Sequence, residues 1–238
     1  MKKLKKHLDK FNNPRILDAA TGQGTFMAMI ASVYADFVEM IGIDTSDRAV
    51  EAVNKNFKDP RIKVLKMDVD NMTFNDGYFD VSCLSNSMHH MADIGHTISE
   101  MARVTKTGGI LVFNEMKSDN EDEKQMTHTH MHHFWAEIDR MNGIIHNETM
   151  TGDEILNTLK TNPEINLIDS WELEYIEDQE MTDEAYAWLK NTIDVYIKRA
   201  DGKPGYEDIV KKADGLKKRL DETGFRSATQ IITIAEKI

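Results

Sequence analysis

The 238-residue chain is 40% hydrophobic and 29% charged, and its 41 acidic against 29 basic side chains give a formal net charge of −12. No apolar run approaches the roughly 18–20 residues of a membrane span, and so acidic a surface repels nucleic-acid phosphates, so neither a membrane nor nucleic acid is expected as a partner. A single cysteine, Cys83, excludes an internal disulfide framework and any multi-cysteine metal site.

The chain opens on "MKKLKKHLDKF", a basic stretch with leucines at Leu4 and Leu8 that lacks the apolar core of a secretory signal, so a cytoplasmic protein with a solvated or frayed first helix is expected. Strand-like apolar runs follow at 15–19, 38–43, 63–67, 79–84 and 110–113, each about the length of a strand buried on both faces. Between them, 26–35, 46–57 and 93–104 have helical patterning. Alternation of this kind predicts a parallel sheet with crossover helices over the first ~117 residues.

The alternation then breaks. Residues 118–150 carry an acidic run, five histidines and a helix-like segment. A short helix is predicted at 151–160, with Thr151 as N-cap and Glu154 closing a capping box. Next come a strand-like 165–177, a charged helical stretch at 181–223 interrupted by "GKPG", and a closing strand in 227–238. One domain spanning 1–238, with lid insertions at about 118–150 and 177–223, is the expected organisation.

The most informative stretch is "ILDAATGQGTF", residues 16–26, where a strand passes through a small-residue turn into a helix. Such a turn brings backbone close to a ligand, and an acid about 20 residues on accepts hydrogen bonds from ribose hydroxyls; Asp44 ends the second strand at that distance. A dinucleotide fingerprint needs a third glycine at position 27, where Met27 stands, which weakens a nicotinamide cofactor. The order resembles the class I S-adenosylmethionine-dependent methyltransferases, whose first motif is D/E-x-G-x-G-x-G; here it reads from Asp18 to Gly24 with Ala20 in place of the first glycine. The likeness continues through "IGIDTS", "DVDNMTFNDGYFDVSCLSNSMHHM" and "EMARVTKTGGILVFNEM", and covers roughly residues 14–117.

That resemblance implies an α/β Rossmann-like fold: a seven-stranded, mostly parallel sheet with helices on both faces, an antiparallel last strand, and the helical insertions as lids. It implies S-adenosylmethionine as cofactor, contacted by Asp18, Ala20, Thr21, Gly22 and Gly24 in the first turn, by Asp44 and Thr45, by Asp68 and Val69 at the adenine, and by Ser85 and Asn86 at the methionine end. The activity implied is in-line methyl transfer to a small-molecule acceptor, for which His89, His90 and Glu115 are candidate bases. On an ideal helix His130, His133 and Glu137 share one face while His128, His132, Trp135 and Asp139 share the opposite one. His133, Glu137 and His146 are therefore candidate substrate or lid residues, and a divalent metal is a further candidate occupant of the insertion. Two other readings stay open: a non-catalytic regulatory protein that binds cofactor or metal, and a protein methyltransferase. No feature of the sequence specifies an oligomeric state.

Overall fold

The structure, a computed structural model, describes residues 1–120, 122–173 and 181–238. Seven strands form one sheet in the order β3-β2-β1-β4-β5-β7-β6. These are β1 (Arg15–Ala19), β2 (Glu39–Asp44), β3 (Ile62–Lys66), β4 (Phe79–Ser85), β5 (Thr105–Met116), β6 (Ile165–Leu173) and β7 (Gln230–Lys237). The first five run parallel, and β7 is antiparallel to both β5 and β6. The expected seven-stranded, mostly parallel sheet with an antiparallel last strand is thus the observed one. Residues 174–177 of the strand expected at 165–177, and the first four residues of the expected second insertion, lie outside the described residues.

Strand side chains alternate between two apolar layers because successive Cβ atoms point to opposite faces of the sheet. Ile16, Met40, Cys83, Ile110 and Val112 fall on one face, and Leu17, Ile41, Ile43, Leu111 and Phe113 on the other. Helices α1 (Lys2–Leu8), α2 (Thr25–Val33) and α3 (Asp47–Asn56) supply the first layer through Leu4, Phe26, Ile30 and Val53. Helices α4 (Ile94–Val104) and α6 (Gly152–Lys160) supply the second through Ile98, Met101, Ile155 and Leu159. The basic N-terminal segment departs from the expectation of a solvated or frayed end. Leu4 and Leu8 are fully buried, and His7 stacks on Trp171 of β6 and bonds to Asp169 at 2.9 Å. Two buried leucines contribute about 1.5–3 kcal/mol each, enough to hold a seven-residue helix that charge alone would leave frayed.

The two insertions converge on a third apolar cluster. Helix α5 (Glu123–Met141) packs through Met131, Phe134 and Ile138 against Leu189 and Ile193 of α7 (Asp183–Arg199) and Ile209, Ala213 and Leu216 of α8 (Tyr206–Glu222). The capping box at the start of α6 forms as its spacing predicts, Thr151 accepting from the Glu154 amide and Glu154 from the Thr151 amide.

Candidate active site

Beyond Ala19 the chain turns through three left-handed residues, Ala20 (φ 51°), Gly22 (φ 52°) and Gly24 (φ 76°), before α2 begins. A Cβ is tolerated at Ala20 at a cost of about 1–2 kcal/mol, because its carbon approaches the following carbonyl in this region. The Thr21 amide bonds the Ile43 carbonyl of β2 at 2.9 Å, which fixes the turn against the sheet edge. Asp44 ties two turns together: one oxygen accepts from the Gly22 amide at 2.9 Å, the other from the Ser46 amide at 2.8 Å. After β3, Asp68 caps a short 3-10 turn, Val69–Asn71, by accepting from the Asp70 amide. After β4, Asn86 takes φ 47°, donates its amide to the Asn114 carbonyl at 2.7 Å and accepts from the Met116 amide at 3.1 Å.

Parallel strands leave all these carboxyl ends on one edge, and there they line a single cleft of about 700 Å³. Asp18, Ala20, Thr21, Gly22, Asp44, Thr45, Asp68, Val69, Ser85 and Asn86 all face it. Gly24 does not line the cleft. A Cβ there would meet Val53 at 3.0 Å and Phe57 at 3.1 Å, so its place is the packing of α2 on α3. Gln23, Phe26, Asp70 and Met91, which lie within the motifs but are not among the contacts the resemblance implies, also line the cleft, as do Met67 and, from further along the chain, Ile145. For Ile145 no local signal exists, because it comes from the loop after α5.

Asp18 is 1% exposed. One of its oxygens accepts from the Thr21 hydroxyl, while the other is buried without a partner. Burial pushes its carboxyl up to about 7, the Thr21 bond pulls it back, and the nearby Asp44 charge adds to the rise. The Asp18 carboxylate and the open space over Gly22, where a Cβ would meet nothing within 4 Å, suit a ligand that brings a cation and a polar face. S-adenosylmethionine, with its ammonium, sulfonium and ribose hydroxyls, fits both features.

At the other end of the cleft the histidines gather. His89 and His90 close a 3-10 turn after β4. His90 lines the cleft, whereas His89 is buried behind it. Glu115, at the end of β5 and 1% exposed, accepts from the amides of Ser87 and Met88 at 3.0 Å and bonds His89 Nδ1 at 2.7 Å. His146 returns from the loop after α5 and bonds Asp139 through Nδ1 at 2.7 Å. His132 of α5 meets both: its ring centroid is 4.7 Å from that of His89 and 5.0 Å from that of His146. Burial, then the neighbouring imidazoles, depress His90 to about 4 and His132 to about 2. Burial likewise lowers His146, against the opposing pull of Asp139.

His133 and Glu137 are placed elsewhere. His133 Nε2 bonds the Thr149 hydroxyl at 2.9 Å, and Glu137 pairs with Lys212 of α8 at 2.6 Å, both beside His130 in a surface groove between α5 and α8. Met131, Phe134 and Ile138 set the rotation of α5 by facing α7 and α8, so the flanking polar stripe with His132 and Asp139 runs between the turn after β4, where His132 meets His89, and the edge of α7, where Asp139 pairs with Arg199 at 2.5 Å. It is that stripe which joins His146.

Residues 17–113 match the family model of a methyltransferase domain. Over 124 residues the chain is 33% identical to the demethylmenaquinone methyltransferase of Bacteroides fragilis, 50% of each being covered. It is 32% identical over 108 residues to a ubiquinone/menaquinone biosynthesis C-methyltransferase of Geobacter, covering 44% of this chain and 46% of that one. The chain thus spans about half the length of these curated relatives. Among solved structures it is similar to the YcgJ protein of Bacillus subtilis, with a TM-score of 0.64 at 16% identity over 99% of this chain and 97% of that one, a likeness of fold. Among the described residues no helix is long and apolar enough to cross a membrane.

Proposed function

We propose that this chain, whose residues 17–113 match a methyltransferase-domain model, is a member of the class I S-adenosylmethionine-dependent methyltransferase family and methylates a small-molecule acceptor held between the cleft and the helical insertions. The observation that carries the reading is the convergence of Asp18, Gly22, Asp44, Asp68 and Val69, from the ends of three strands, on one cleft of about 700 Å³, within the roughly 300–1,000 Å³ range of small-ligand sites. The bound cofactor supplies an electrophilic methyl whose S–C bond breaks as the acceptor–C bond forms, the sulfonium becoming a neutral thioether.

The chain's own residues do the rest. Asp44 presents a carboxylate to the ribose diol, and Asp18 presents its unpartnered oxygen to the ammonium. Val69 and Met67 offer an apolar wall to the adenine. His90, Met91 and Ile145 line the far side, where an apolar acceptor with one ionisable group fits; His90, kept neutral by burial, is within the cleft to take the proton as the new bond to the methyl makes the acceptor strongly acidic. Curated relatives named for methylating quinone precursors support an aromatic acceptor of this kind. The described residues of the insertions, 118–120, 122–150 and 181–223, act as the lid that excludes water while acceptor and methyl are aligned.

Calorimetric titration with S-adenosylmethionine, followed by measurement of S-adenosylhomocysteine release with naphthoquinols, phenols and amines, tests the proposal. Micromolar cofactor binding and release that depends on one acceptor class are expected. Binding without release for any acceptor, or release only with a basic peptide, would replace this reading by a regulatory protein or a protein methyltransferase respectively.

A further inference from the structure

We infer that His89, His132 and His146 form a binding site for a divalent transition-metal ion of the zinc type, set against the acceptor end of the cleft. One ligand atom from each ring lies within 4.8 Å of the other two. The three residues come from separate pieces of chain, the turn after β4, the middle of α5 and the loop beyond it, so their meeting is a product of the fold and not of local sequence.

The hydrogen bonds orient these rings as ligands. Nδ1 of His89 is engaged by Glu115 and Nδ1 of His146 by Asp139. In the tautomer that donates Nδ1–H to the carboxylate, each Nε2 presents a lone pair. Both Nε2 atoms are buried with no partner, as is Nδ1 of His132. A metal-bound imidazole has this arrangement, its second nitrogen donating to a carboxylate that fixes tautomer and orientation. An ion at the centre of a triangle of that maximum side would sit about 2.8 Å from each nitrogen, so the rings need close by about 0.7 Å to reach the roughly 2.0–2.1 Å of a zinc–imidazole bond.

Ligand chemistry narrows the occupant. Three imidazoles without thiolate favour neither copper(I) nor the hard cations magnesium and calcium, whereas zinc and its first-row neighbours suit nitrogen donors. Glu115 and Asp139 lie one shell out and hold the rings by their hydrogen bonds; the Asp139 charge is shared with Arg199 of α7 at 2.5 Å, which leaves Glu115 as the nearby carboxylate without a cationic side chain paired to it among the described residues. Three protein ligands leave a coordination position open, the pattern of sites that bind substrate and not of closed structural ones. His90 connects this site to the cleft: it lines the cleft, and its ring centroid lies 4.4 Å from His89 and 4.2 Å from His146. An acceptor oxygen in the open position would become more acidic there, which deepens the methyl-transfer reading and rests on it; binding of the ion does not.

The test uses the full chain purified without a histidine tag, stripped by chelator, and titrated with zinc and with cobalt(II). One equivalent per chain is expected, with visible ligand-field absorption from cobalt and a thermal transition raised by zinc and not by magnesium. His132→Ala and His146→Ala should each weaken zinc binding at least tenfold, and His130→Ala, on the other face of α5, should leave it unchanged. S-adenosylhomocysteine affinity measured on the same samples reports the cleft separately and confirms that each variant is folded. An intact cleft with no zinc uptake, or uptake undiminished in His132→Ala, overturns the metal site alone. Zinc bound by a chain that ignores the adenosyl ligand overturns the methyl-transfer reading and leaves the metal site standing.

Discussion

An Asp18→Asn variant should be more stable than the parent chain above pH 7 and should bind S-adenosylmethionine less tightly. The carboxyl is held at about 7 in the folded protein, chiefly by burial, against an ordinary 3.8. At about 1.4 kcal/mol per pH unit, ionising it in the folded chain costs at most about 4 kcal/mol relative to the unfolded chain. Between these two values the folded chain holds a proton that the unfolded chain has released. Stability therefore falls as pH rises from about 4 to about 7 and levels off above. Asparagine still accepts from the Thr21 hydroxyl but carries no charge, so the variant should lack this descent. Urea denaturation of both proteins at intervals from about pH 4 to pH 8.5 gives the comparison. A cofactor ammonium bound beside Asp18, as proposed, should drive the carboxyl to ionise, because an opposite charge within about 4–6 Å favours the charged form. Binding at pH 6 should then release close to one proton, read from calorimetric heats in two buffers of different ionisation enthalpy. Parallel stability curves for parent and variant, together with buffer-independent heats, would refute both the buried charge and its pairing with the ligand.

Asp44→Ala, which removes the carboxylate proposed to hold the ribose, should weaken cofactor binding by about 1.5–3 kcal/mol, part of it through the Gly22 and Ser46 amides it also orders; unchanged affinity by calorimetry would take Asp44 out of the site. Ala20→Gly should leave stability equal or raise it by up to about 1 kcal/mol, since φ 51° strains alanine more than glycine loses in chain entropy. Gly24→Ala should cost about 1–3 kcal/mol, being both left-handed and within 3.0 Å of Val53; equal melting of the two variants would show that the turn is not strained as described. Amides of 144–149, which follow α5 and bond back to His89 through Asn147, should exchange more slowly when cofactor and acceptor are bound, and unchanged exchange would count against closure of the insertions.

Much of this protein is written locally. The apolar runs at 15–19, 38–43 and 79–84 predict their strands to within a residue or two, since a strand buried on both faces must be apolar throughout. Thr151 and Glu154 predict the start of α6 because a capping box involves only residues three apart. The motif acids Asp18, Asp44 and Asp68 belong to one site on the strand pattern alone, because parallel strands present their carboxyl ends on one edge whatever the details of packing. What lay beyond local reading needed partners distant in the chain. Leu4 and Leu8 sit in a charged segment, and only the first face of the sheet shows why they are buried. Strand β5 begins five residues before its apolar core because Thr105 pairs with Phe79, after which the register shifts and the ladder resumes at Ile110. Most of all, two polar stripes of α5 carried histidines, and sequence alone had no means of choosing between them. The packing of Met131, Phe134 and Ile138 on α7 and α8 chose. That rotation turned His132 toward His89 and His146 and left His133 and Glu137 to Thr149 and Lys212, since helix phase is decided by the core it must bury and not by the side chains that chemistry would use.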